Sequence, residues 1–146
     1  MTALGPSNET EVRLFPITVK LGNPTIDSLG PNPDDILRQG EGFKLSLDVT
    51  FGDVGALAIV ALGVPVRIKW FAESYGPGPE AVLGETTINT VAGQLVYTID
   101  VNVPVNPLTA EFVYKLAASL RVGALSPAPS IANGFIEAGS IEIYAS

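Results

Sequence analysis

With neither histidine nor cysteine among its 146 residues, this chain must rely on carboxylates and tyrosines for any acid–base chemistry. The two absences remove the commonest general base, the commonest transition-metal ligand, the thiolate nucleophile and any disulfide. Glu73, Glu80, Glu85, Asp100 and Glu111 are the carboxylates with the right type for acid or base work. Nothing in their spacing forces two of them to the separations that paired-carboxylate catalysis needs. Each reads as a solvated face residue, so no catalytic residue is assigned. No phosphate-cradling loop, nucleophile elbow or dinucleotide fingerprint occurs.

Asp27, Asp34 and Asp35 fall in a stretch dense in turn formers, residues 22–42, with Asn23-Pro24, Gly30-Pro31 and Asn32-Pro33. Hard cations need several oxygen ligands brought together, which makes calcium the metal to consider. The spacing misses the EF-hand pattern and its closing glutamate. The loop reads instead as Asx turns, with one helical turn over residues 34–39 capped by Asp34. No metal and no cofactor is expected.

Eight basic residues stand against fifteen acidic ones, a formal charge of −7. A field of that sign repels phosphate backbones and anionic lipid, so nucleic acid is not an expected partner. Charged residues make up 16% and the apolar set 47%, charge-poor for a soluble domain, where about a quarter is usual. Some apolar surface is therefore expected to meet a partner. The first residues, MTALGPSNETE, have no basic region and no apolar run, so no signal peptide is read there and the location stays unassigned. Residues 1–10 read as a loose arm on a single domain spanning 1–146.

The elements that must position these residues read as strands. Residues 108–122 place Phe112, Tyr114, Leu116, Ala118, Leu120 and Val122 on one face at period two, with Lys115, Ala117, Ser119 and Arg121 on the other. Residues 43–51 alternate more cleanly still, from Phe43 to Phe51. Residues 64–72, 81–90, 94–103 and 135–144 add further strands, the last interrupted at Ala138-Gly139. A short hairpin turn at Val91-Ala92-Gly93 is expected between the second and third of these. Residues 12–21 read as one edge strand broken at Pro16. Seven or eight such strands with turn signals between them predict an all-β antiparallel β-sandwich, immunoglobulin-like or jelly-roll, with a closed barrel as the alternative. Trp70, mid-strand, resembles the core anchor of immunoglobulin-like sandwiches, with Leu47 and Leu116 at the positions its disulfide usually takes. Tyr114, six residues after Leu108, is spaced to form a tyrosine corner, its hydroxyl bonding backbone upstream.

One stretch breaks the alternation. Residues 54–66, VGALAIVALGVPV, carry no charge and no side-chain hydrogen-bonding group, yet fall short of the roughly 20 residues a membrane span needs. Three readings are open: a buried plug at one end of the fold, a surface for a partner chain, or a flap over an apolar ligand. They lead to three functions. The first is a non-catalytic structural or interaction protein that self-associates into a homo-oligomer, with Val54, Leu57, Ile59 and Leu62 at the contact. The second is a binder of a small apolar ligand lined by Trp70, Phe71, Tyr75 and Tyr97. The third is a carboxylate-based enzyme of cyclase or isomerase type in that same cavity.

Overall fold

The computed structural model of the chain describes residues 2–4, 9–14, 16–30, 36–76, 80–123 and 130–145. Among them run, in order, β1 (Thr2–Ala3), β2 (Glu9–Leu14), β3 (Ile17–Ser28), β4 (Ile36–Arg38), β5 (Phe43–Gly52), α1 (Ala56–Val60), β6 (Pro65–Ser74), β7 (Ala81–Asn89), β8 (Val96–Val103), β9 (Phe112–Gly123) and β10 (Ser130–Tyr144). The strands make two five-stranded sheets. In the first, β3, β5 and β8 lie side by side, and β1 and β2 share the outer edge of β3. In the second the order is β4-β10-β9-β6-β7, antiparallel throughout except that β4 runs parallel to β10. One of the two sheets is curled into a half-barrel.

Period-two alternation decides which side chains each strand buries. On β5, Phe43, Leu45, Leu47, Val49 and Phe51 are buried, while Lys44, Asp48 and Thr50 are half-buried on the other side. On β9, Tyr114, Leu116, Ala118, Leu120 and Val122 are buried, the face expected from sequence. These residues join Ile68 and Trp70 of β6 and Ile99 and Val101 of β8 in one continuous apolar cluster. A closed barrel would join the sheets by a ladder. Here β7 and β8 only approach each other, with the Thr86 hydroxyl donating to the Asp100 carbonyl at 2.7 Å.

Four local expectations are corrected. Pro16 does not break one edge strand; it sits in the turn of a β2–β3 hairpin that pairs Leu14 with Ile17, where its missing N–H is no loss. Together with β1, whose Thr2 and Ala3 pair with Ile26 and Thr25, β2 puts the described parts of the stretch read as a loose arm, residues 2–3 and 9–10, in the ladder and brings the strands among the described residues to ten. Residues 36–38, read as part of a helical turn, form β4 instead, because burying Leu37 completely against β10 outweighs local helix preference. The 91–93 turn joins no hairpin, since β7 and β8 belong to different sheets and the chain crosses between them. That crossing is pinned by Thr90, whose hydroxyl accepts from the Val64 N–H and donates to the Val60 carbonyl, each at 2.9 Å. The interruption in the last strand is present as a register shift between Glu137 and Ser140.

Candidate functional site

The uncharged run forms a single helical turn at the end of the molecule where the β2–β3 hairpin and the 90–95 crossing also lie. Asp53, at φ 73°, turns the chain out of β5 and its carboxylate accepts from the Val54 N–H at 2.9 Å. Gly55 then passes so close to Pro16 that a β-carbon would stand 2.7 Å from the proline ring and 2.9 Å from its carbonyl oxygen. Its N–H donates to that carbonyl at 2.8 Å, so only glycine fits. From there α1 buries Ala56 and Val60 and lays Ile59 against the core.

The opposite side of the turn is also apolar. Val54, Leu57 and Leu62 are 80%, 60% and 70% exposed, and with exposed Ala58 and Ala61 they make a stripe at helical spacing, the pattern that ordinarily faces a core. Exposed Val91 follows Thr90, which is bonded to Val60 and Val64. Of the four residues expected at a contact, Val54, Leu57 and Leu62 share this surface and Ile59 turns inward.

The four expected ligand liners do not converge. Trp70 is completely buried between the sheets, and its indole N–H has no hydrogen-bond partner among the described residues. Tyr97 is buried on β8, packed edge-on against Phe51 at 5.9 Å, with its hydroxyl accepting from Val91 N–H at 2.8 Å and reaching the Gln94 carbonyl at 2.7 Å. Phe71 and Tyr75 lie on the outer face of the second sheet. Phe71 lines a groove of about 510 Å³ there with Val82, Ala117 and Phe135. The Tyr75 hydroxyl meets the Ser140 hydroxyl at 2.9 Å, at the β10 bulge. Lys115 stands in the groove, 3.4 Å from Glu137 and 3.8 Å from Glu73. Its hydrogen bond to Glu137, then the charges of Glu137 and Glu73, hold its ammonium above the ordinary lysine range.

Glu73 and Glu80 reach this groove; the other three carboxylates do not. Glu85 is opposite Lys69 across β6 and β7, Asp100 accepts from the Ser46 hydroxyl on the outer face of the first sheet, and Glu111 sits in the corner before β9 at φ 70°. Asp27 pairs in register with Lys44, and Asp34 and Asp35 lie outside the described residues. Among the described residues no three acidic side chains gather as metal ligands, and no helix is long and apolar enough to cross a membrane. Phe135, Ala117 and Lys115 were not anticipated in a groove. The signal for Phe135 was its phase, one residue off the inward series of Ile136 and Ala138. Compared with family models and with curated proteins, the sequence matches none.

Proposed function

We propose that this chain is a non-catalytic interaction protein on an immunoglobulin-like β-sandwich, and that it self-associates through the apolar end built by α1. The fold reading is supported by the order β4-β10-β9-β6-β7 with its parallel β4–β10 edge, by Trp70 buried mid-strand in β6, and by Tyr114, whose hydroxyl accepts from the upstream Thr109 N–H at 3.0 Å. The functional reading is carried by one observation, the exposure of Val54, Leu57 and Leu62 on the outer side of a turn whose inner side is already packed. Apolar patches of this kind mark contact sites on soluble proteins. A second copy is the simplest occupant, because an uncharged stripe is self-complementary about a two-fold axis. A ligand held under the run has less support, since the groove on the second sheet is lined by none of residues 54–66.

Two substitutions on opposite sides of α1 test this. Leu57→Glu should leave the protein folded and shift its mass by light scattering toward smaller species, because a carboxylate is costly in an apolar contact and cheap in water. Val60→Glu, on the buried side, should unfold it. An unchanged mass for folded Leu57→Glu would remove the α1 end as the contact.

A further inference from the structure

Between β3 and β5 the chain leaves the first sheet, lays β4 on the edge of the second, and returns. The neck of this excursion is closed by the Leu29 N–H, which donates to the Gly42 carbonyl at 3.0 Å. β4 is an edge strand of three residues, with Leu37 completely buried and Ile36 and Arg38 exposed. Its ladder to β10 is continued by the Gln39 N–H, which donates to the Tyr144 carbonyl at 2.9 Å. So short an edge ladder belongs to the low-stability end of a fold. The carboxylate of Glu41 reinforces it. Oε1 accepts from the Ser28 hydroxyl at 2.6 Å and Oε2 from the Arg38 N–H at 2.9 Å, so one side chain joins the last residue of β3 to the last residue of β4, one in each sheet. The Ser28 hydroxyl in turn accepts from the Gly30 N–H at 3.2 Å, and a β-carbon at Gly30 would displace the carboxylate. Gly40, at φ 82°, makes the bend that brings Glu41 back to Arg38.

We propose that residues 36–42 form an acid-released strap: the ionised Glu41 carboxylate clasps β4 to the end of β3, and its protonation loosens β4 from β10 while the two sheets stay folded. An ionised carboxylate only accepts, and each hydrogen bond to it is about twice as strong as a neutral one; once protonated, one oxygen becomes a donor turned toward donors. The clasp is therefore present at neutral pH and weakens as pH falls and Glu41 takes up its proton. Several other charged or titratable groups lie on the elements around it. They are Arg38 on β4, Asp27 and Lys44, paired in register on β3 and β5, and Glu142 and Tyr144 on β10, opposite Ile36 and Arg38. The corner beside Gly42, from Pro104 to Asn106, brings none. A Glu41 variant leaves all of these as they are, and Asp34 and Asp35 before β4 as well. Release bares the β10 edge at residues 142–144 and the place that Leu37 fills, a short stretch of unpaired strand beside an apolar slot. The strap lies at the opposite end of β5 from α1, and its release is independent of the α1 contact.

Hydrogen exchange resolved to single amides, expressed as protection relative to the free-peptide rate, tests this at about pH 7 and about pH 3.5, on either side of the ordinary glutamate value. The reporter is the Gln39 N–H, which bonds β10 rather than Glu41. In the wild type its protection should fall roughly tenfold in acid relative to that of Leu116 and Ala118 on β9, the size expected when charge-assisted bonds weaken. Glu41→Gln, which keeps the size of the side chain and has no proton to gain, should begin with the lower Gln39 protection at about pH 7 and show no such fall. Glu142→Gln, a neighbouring carboxylate removed from β10, should respond like the wild type. If Glu41→Gln does not fold by circular dichroism, Ser28→Ala removes one of the two donors and should give a lower Gln39 protection at about pH 7 with a smaller fall in acid. Wild-type Gln39 protection that moves only with the β9 amides, or a Glu41→Gln protein with the acid response of the wild type, would overturn the inference. So would a Glu142→Gln protein that has lost the response.

Discussion

Tyr114 shows how much one hydroxyl can fix. Its ring is completely buried, packed edge-on to Phe112, and its oxygen accepts the Thr109 N–H at 3.0 Å, closing the turn by which the chain enters β9. One residue earlier in the same corner, the buried Asn106 side chain accepts the Leu108 N–H at 2.9 Å. Tyr114→Phe keeps the ring and leaves the Thr109 N–H without its acceptor, so a loss of about 1 to 3 kcal/mol is expected. A urea melt measures it, and a midpoint equal to wild type would mean that water replaces the hydroxyl at no cost. This corner was legible in the sequence because a tyrosine set a few residues into a strand, after a proline-bearing loop, has backbone within reach. The burial of Trp70 was equally legible from its phase with Val66, Ile68 and Ala72. Its role as a ligand liner was not compatible with that phase, which points the ring inward.

At the scale of elements, the strands that alternate over nine or more residues, β5, β6 and β9, were readable because each has one apolar and one mixed face. β4 was not. Three residues carry too little periodicity to outweigh the turn formers around them, and its place is set by Leu37, completely buried, and by the parallel pairing of residues 36–38 with 142–144. Leu37→Ala should therefore cost roughly 2 to 5 kcal/mol despite the brevity of the strand. A chemical denaturation giving less than about 1 kcal/mol, the range of an exposed site, would show that β4 is not docked as described. The β7–β8 crossing was misread as a hairpin for a related reason: the alternation of both strands is local, whereas the sheet each joins depends on distant partners. α1 was legible as apolar but its orientation was not, since a turn without polar residues offers no phase from which to tell its inward side from its outward one.

At the scale of the whole molecule, the surface proposed for self-association is the α1 end, uncharged and with Val54, Leu57 and Leu62 at its centre. An isologous contact uses each such surface once, so the proposed assembly stops at a dimer. The mass should therefore rise with concentration to twice that of the chain and no further, and Leu57→Glu should hold it at that of a folded monomer at every concentration. Light scattering on the two proteins over a concentration series measures both. A wild-type mass that passes the dimer, or a Leu57→Glu mass that still rises, would mean that a surface other than the α1 end makes the contact.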